Sequence, residues 1–224
     1  MKLAITEVTN MRESRRCVGA WNVDTGRMVR PLPNGENWTK ALIDKFSIAA
    51  GTIIECEAKG RHVSSYPHKT EDTPIDASSV KYLKHKFTEW SGANAPTSRA
   101  RVSTAFLNNV VFGSEFSGFK KAYVPEGTKC SSLVGLRLDR INLAFYDGKY
   151  DGKSKLRARV TDAEAQYDFS VGCTELQAEW RRGGFDRLTK ILPKKGILHC
   201  RLGLVRAFAQ QADKCYIQLN GIRF

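Results

Sequence analysis

The chain has 224 residues, with 36 Lys and Arg against 23 Asp and Glu, a formal net charge of +13 and 42% hydrophobic residues. That composition excludes a disordered tail, a collagen-like rod and a coiled coil, and no window approaches the ~18 consecutive apolar residues of a membrane span. The opening Met1-Lys2-Leu3-Ala4-Ile5-Thr6-Glu7 meets an acid before any apolar run and so does not read as a signal peptide. The expectation is a cytoplasmic globular protein with no membrane association.

In chain order, Lys2 to Val8 alternates apolar and polar residues as a half-buried strand does. Cys17–Trp21 and Met28–Leu32 flank Asp24-Thr25-Gly26-Arg27 and read as a hairpin, with glycine where a positive φ is wanted. Trp38 to Phe46 fits a helical turn or two, and Thr52 to Ala58 a further strand entered through Gly51. Short strands at this spacing suggest a small barrel or a sandwich. Tyr66 to Pro74 is a polar, proline-bounded loop. Asp76 or Ser78 is placed to cap a short helix carrying Val80, Leu83 and Phe87. Arg99 to Phe112 returns to apolar residues.

The last third is strand-rich again: Ser132–Leu138, Ile141–Phe145 and Leu156–Asp162, with a turn of two Asp-Gly steps over 146–153. Arg157 and Arg159 share one face by the period of two. Thr174 to Trp180 fits a short helix, and 197–204 with 214–220 a closing hairpin. The expected organisation is a β-rich unit over 1–65, a mixed connector with a short helix over 66–125, and a second β-rich unit over 126–224. Six cysteines without a Cys-x-x-Cys point to small core residues in a reducing compartment; neither a metal site nor a cofactor is expected.

Several segments together resemble one family. Arg16-Cys17-Val18-Gly19-Ala20-Trp21 and Gly26 to Leu32, ending in Arg-Pro-Leu, are similar to the opening of the dual OB-domain proteins of bacteria and phages. Pro67-His68-Lys69-Thr70-Glu71-Asp72 resembles that family's Pro-x-x-x-Glu-Asp segment. Leu156–Asp162, Leu202–Arg206 and Cys215–Ile222 resemble its end. The matching segments run in order along the chain and leave about 86–125 uncovered. The resemblance implies a mainly β fold with minor α, of two OB-like small barrels joined by a partly helical connector. It further implies a nucleic-acid-binding role, often beside defence or other conflict genes, with no established catalytic set.

Nucleic-acid binding needs charge to track phosphates and aromatics to stack bases. The basic excess is greatest over 126–224, and 177–206 holds eight basic residues against Glu179 and Asp186. The candidate contacts are Arg15, Arg16, Arg27 and Arg30 in the first unit and Arg157, Arg159, Arg181 and Arg182 in the second. Trp21, Trp180 and Tyr216 are the stacking candidates. Trp21 fits a core position equally well, with Arg30 capping a carbonyl. The charge would equally suit an acidic protein partner, making the chain an inhibitor or adaptor in a defence or counter-defence complex. A weaker alternative is a Mg²⁺ nuclease built on Asp44, Glu57 and Lys59, an Asp followed by Glu-x-Lys on a strand. There is no P-loop, dinucleotide fingerprint or nucleophile elbow.

Overall fold

A computed structural model describes residues 1–11, 13–60, 64–91, 95–97, 102, 123–150, 152–162, 166–207 and 212–224. The fold is mainly β, with two curled sheets and few helices. The first sheet contains β1 (Lys2–Asn10), β2 (Arg15–Asn22), β3 (Arg27–Pro33), the two-residue β4 (Trp38–Thr39), β5 (Thr52–Glu55), β6 (Asp72–Ile75) and β7 (Lys81–Lys86). Helix α1 (Lys40–Lys45) lies between β4 and β5, capped by Thr39, whose hydroxyl accepts from the Leu42 amide at 3.2 Å. The strand order is β6-β3-β2-β1-β5-β7, with β4 on β2. The chain leaving β5 then returns to β6. Ala58 bridges Ile75, the Lys59 amide donates to the Pro74 carbonyl at 2.8 Å, and the Asp76 amide donates to the Glu57 carbonyl at 3.0 Å. Those bonds close β1-β2-β3-β6-β5 into a ring.

The β2–β3 turn is local chemistry. Asn22 Oδ1 accepts from the Asp24 and Thr25 amides, and Gly26 takes φ +64°, a conformation that favours glycine. In β1 a bulge falls between Ile5, opposite Ala20, and Glu7, opposite Gly19. The extra residue shifts the alternation, so Leu3, Ile5 and Val8 join the core while Glu7 points outward.

The second sheet contains β8 (Tyr123–Pro125), β9 (Leu133–Asp139), β10 (Leu143–Tyr150), β11 (Lys153–Thr161), β12 (Gln166–Val171), β13 (Ile197–Leu204) and β14 (Lys214–Arg223), with α2 (Thr174–Ile191) between β12 and β13. Its order is β10-β11-β12-β14-β13-β9, with β8 on β14. A single 3₁₀ turn, Arg140–Asn142, separates β9 from β10, so one run of chain supplies both ends of the sheet and closes it. Both units therefore share a plan: a meander of three strands, a helix, then two strands, with the third and last strands parallel (β3 with β6, β12 with β14). That is the OB-like arrangement of a five-stranded Greek-key barrel.

Three local expectations change. The segment after Asp76 is a 3₁₀ turn, Ala77–Ser79, followed by strand β7 rather than a helix. Pairing with β5 (Ile53 opposite Leu83, Ile54 opposite Tyr82) satisfies its backbone in a way the local pattern does not announce. Strand β10 continues to Tyr150, so the turn before β11 is shorter than 146–153. Helix α2 continues past Trp180 to Ile191 across a break at Gly183 and Gly184, where Gly184 has φ +61°. Strands β6 and β7, both within the segment read as a connector, belong to the first sheet. The six cysteines are free, and five are buried.

Candidate nucleic-acid interface

The two barrels meet through a polar seam. The outer face of β1, β2 and β3 lies against the outer face of β9, β13 and β14. Glu7 and Arg201, 1% and 0% exposed, pair there at 3.2 Å. Room for the pair comes from glycines. A Cβ at Gly19 would overlap the Glu7 carboxylate, and one at Gly135 would overlap the Arg201 guanidinium and the Pro96 carbonyl. Arg201 also donates to that carbonyl and lies 3.0 Å from the Met28 sulfur. At the near end of the seam, the Asn10 amide donates to Gln177 Oε1 at 2.7 Å, and the Thr174 hydroxyl donates to the Val8 carbonyl at 3.2 Å.

The Pro-x-x-x-Glu-Asp segment forms the far end. His68 is buried and donates from Nε2 to the Leu204 carbonyl at 3.0 Å. Burial, helped by the positive charges of Arg30 and Arg206, pushes its imidazole down to about 3. Glu71 accepts from the Ser132 amide at 3.1 Å and hydroxyl at 2.7 Å. Burial nonetheless pushes its carboxyl up to about 7, against the lowering effect of those bonds and of Arg30. Asp72 accepts from Arg30 at 2.6 Å, from Ser64 at 2.5 Å and from Arg206. Burial alone would raise its pKa, but Arg30, Ser64 and Arg206 hold it below the usual carboxylate range.

This seam decides the fate of one sequence candidate. Arg30 is 3% exposed and donates to Asp72 and to the Ser132 hydroxyl, so its guanidinium serves the interior and is closed to a phosphate. Arg15 and Arg27 are exposed at strand ends, Arg16 is half-buried, and Trp21 is half-buried on β2. On α2, Arg181 is exposed and donates to Gln177; Arg182 is exposed and paired with Glu179, as is Arg187. Trp180 packs against the second core and Phe185. Tyr216 is half-buried, edge-on to Tyr123 at 5.8 Å.

The remaining two arginines define a surface. In β11 Leu156, Ala158 and Val160 face the core, so Lys153, Lys155, Arg157 and Arg159 face outward. Register places Tyr146 of β10 opposite Arg157, and Asp168 of β12 opposite Arg159. Arg157 grips Asp168 with two bonds, Nε to Oδ1 at 2.8 Å and Nη2 to Oδ2 at 2.7 Å. The Tyr146 hydroxyl donates to Asp168 Oδ1 at 2.6 Å, and the Arg159 guanidinium lies 5.2 Å from the centre of the Tyr146 ring. Gly148 leaves space for the Arg157 stem, which a Cβ would overlap. Asp168 thus fixes a tyrosine ring and an arginine on an outer sheet face, and exposed Lys153 and Lys155 continue the basic row. Arg157 itself is committed to Asp168, Arg159 is half-buried beside the Tyr146 ring, and Lys153 and Lys155 are exposed on the same outward row.

Sequence reasoning found Arg157 and Arg159 and missed Tyr146, Lys153 and Lys155. The two Asp-Gly steps make Tyr146-Asp147-Gly148 read as a turn. Continuing the two-residue period of the preceding strand would have put Ala144, Tyr146 and Gly148 on one face.

The residues of the alternative nuclease set lie on two different segments of the first barrel. Asp44 pairs with Lys40 on the exposed side of α1, while Glu57 and Lys59 are exposed on the segment that closes the first barrel. Among the described residues no three His, Cys, Asp or Glu side chains are placed to hold a metal ion. Also among them, no helix is long and apolar enough to cross a membrane. No protein-family model, curated protein or solved structure matches the chain.

Proposed function

We propose that this protein binds DNA or RNA without catalysing a reaction, holding a single-stranded or flexible segment on the outer face of β10, β11 and β12. The observation that carries this reading is the basic row of β11 beside a fixed tyrosine: Lys153, Lys155 and Arg159 for phosphates, and the Tyr146 ring for a base. The site spans the first three strands of an OB-like barrel and so includes the second and third, the part of that architecture suited to oligonucleotides. The net charge of +13 supports a polyanion partner. The sequence resemblance extends the proposal to a sensor or accessory role in a bacterial or phage conflict system.

Fluorescence anisotropy of labelled single- and double-stranded DNA and RNA, at two salt concentrations with and without Mg²⁺, tests the reading. Salt-sensitive binding to intact single strands is the expected result. Absence of binding at low salt refutes it and moves the basic surface to an acidic protein partner. Cleavage that requires Mg²⁺ refutes its non-catalytic part.

A further inference from the structure

The two barrels do not present the same surface twice. In an OB-type barrel the second and third strands, with the loops at their ends, carry the oligonucleotide face. In the first barrel these strands are β2 and β3. Their outer positions include Gly19 and Arg30, both buried, and Met28, which touches Arg201 of the second barrel. The loop joining its fourth and fifth strands is committed to the seam as well. His68 holds the Leu204 carbonyl, Thr70 the Cys130 carbonyl at 3.2 Å, and Glu71 the Ser132 amide. In the second barrel the equivalent strands are β11 and β12, and their outer face carries the exposed lysines 153 and 155.

Building on the function proposed above, we infer that each chain binds one short single-stranded segment, on the second barrel alone, with the first barrel as its rigid support. A tyrosine ring held on a sheet face accepts a base only when that base has left its stack, which favours single strands over a duplex. One barrel accommodates about 4–16 nucleotides, and a platform of three strands, about 10 Å across, belongs at the lower end of that range. A strand running across both barrels would need the β2–β3 face, where the seam buries Gly19 and Arg30.

The test is anisotropy with labelled oligothymidylates and oligouridylates from about 4 to about 30 nucleotides, alongside a duplex of matched length. Affinity is expected to level off by about 8 nucleotides and then to grow only few-fold with the number of available registers, one short oligomer binding per chain. Lys155→Glu, at an exposed position, lowers affinity about 10-fold, and Tyr146→Ala does so to a similar degree, whereas Arg15→Ala with Arg27→Ala changes it less than about 2-fold. A further 100-fold gain between about 8 and 30 nucleotides, two short oligomers per chain, or an Arg15/Arg27 loss matching that of Lys155→Glu overturns the one-platform inference and leaves the function standing. Failure of every oligomer to bind overturns both.

Discussion

Replacing Arg201 by methionine removes the cation of the seam and leaves Glu7 buried without its partner. The Nε–Oε2 distance of 3.2 Å corresponds to about 5 kcal/mol of attraction at an effective dielectric near 20. Both side chains are essentially inaccessible, and breaking such a pair from one side costs about 3–5 kcal/mol, because the surviving charge has no water to return to. Methionine fills much of the same volume, so the loss is chiefly electrostatic. Glu7→Gln alone leaves the guanidinium its bond to the Pro96 carbonyl and an amide oxygen nearby, and costs less. The double variant removes both charges and should recover at least about 2 kcal/mol of the Arg201→Met loss. Equilibrium urea unfolding, followed by tryptophan fluorescence and far-UV circular dichroism, measures all four corners of the cycle. If Arg201→Met unfolds within about 1 kcal/mol of the parent, or the double variant is no more stable than Arg201→Met, the pair is not a closed, water-free contact.

The seam also titrates. His68, driven to about 3 from 6.5, contributes stability above pH 6.5 that is lost as pH falls toward 3, up to about 5 kcal/mol, and His68→Gln should flatten that acid limb in thermal melts. Glu71 acts in the opposite sense: raised to about 7 from 4.5, it contributes fully below pH 4.5 and loses about 3 kcal/mol as pH rises through 7, a slope that Glu71→Gln should abolish. Gly135→Ala places a methyl group against the Pro96 carbonyl and the Arg201 guanidinium and should lower the melting temperature by several degrees; an unchanged Tm would show the seam to be looser than described. Lys153→Ala with Lys155→Ala should reduce the slope of log K against log[salt] by about 1.4 for a single strand, two phosphate contacts' worth, and an unchanged slope would remove those lysines from the interface.

The strands most legible in the sequence were those with strict alternation and a marked turn: the β2–β3 hairpin around Gly26, β11 with its two outward arginines, and the β13–β14 pair. Strand β7 was read as helix because Lys-Tyr-Leu-Lys-His-Lys suits either state until β5 supplies its partner. The length of α2 was hidden by Arg-Arg-Gly-Gly, where two glycines break the helix without ending it. The seam was the least legible part. Glu7, Arg30, His68, Glu71 and Arg201 are types ordinarily placed in water, and only the folded chain supplies their buried partners: Arg201 for Glu7, Asp72 and Ser132 for Arg30, the Leu204 carbonyl for His68 and Ser132 for Glu71. Arg30 shows the difficulty plainly: a guanidinium reads the same in sequence whether it meets a phosphate or Asp72. The outer face of β11 was half legible, since periodicity aligned Arg157 with Arg159 but not the tyrosine that the neighbouring strand sets between them.

Glu7 and Arg201 are separated by 194 positions in the chain. During synthesis, β1, β2, β3, β5 and β6 can pair as soon as β6 is made, yet Glu7 waits for Arg201, Arg30 for Ser132 and Asp72 for Arg206. Contacts of such long sequence separation close late and slow folding, so the early barrel must persist with a solvated, incomplete face. A fragment ending before residue 126 would keep that face permanently and expose the groups that the seam was shaped to enclose. Such a fragment should be less stable than the same strands within the whole protein, and prone to pair with a second copy of itself.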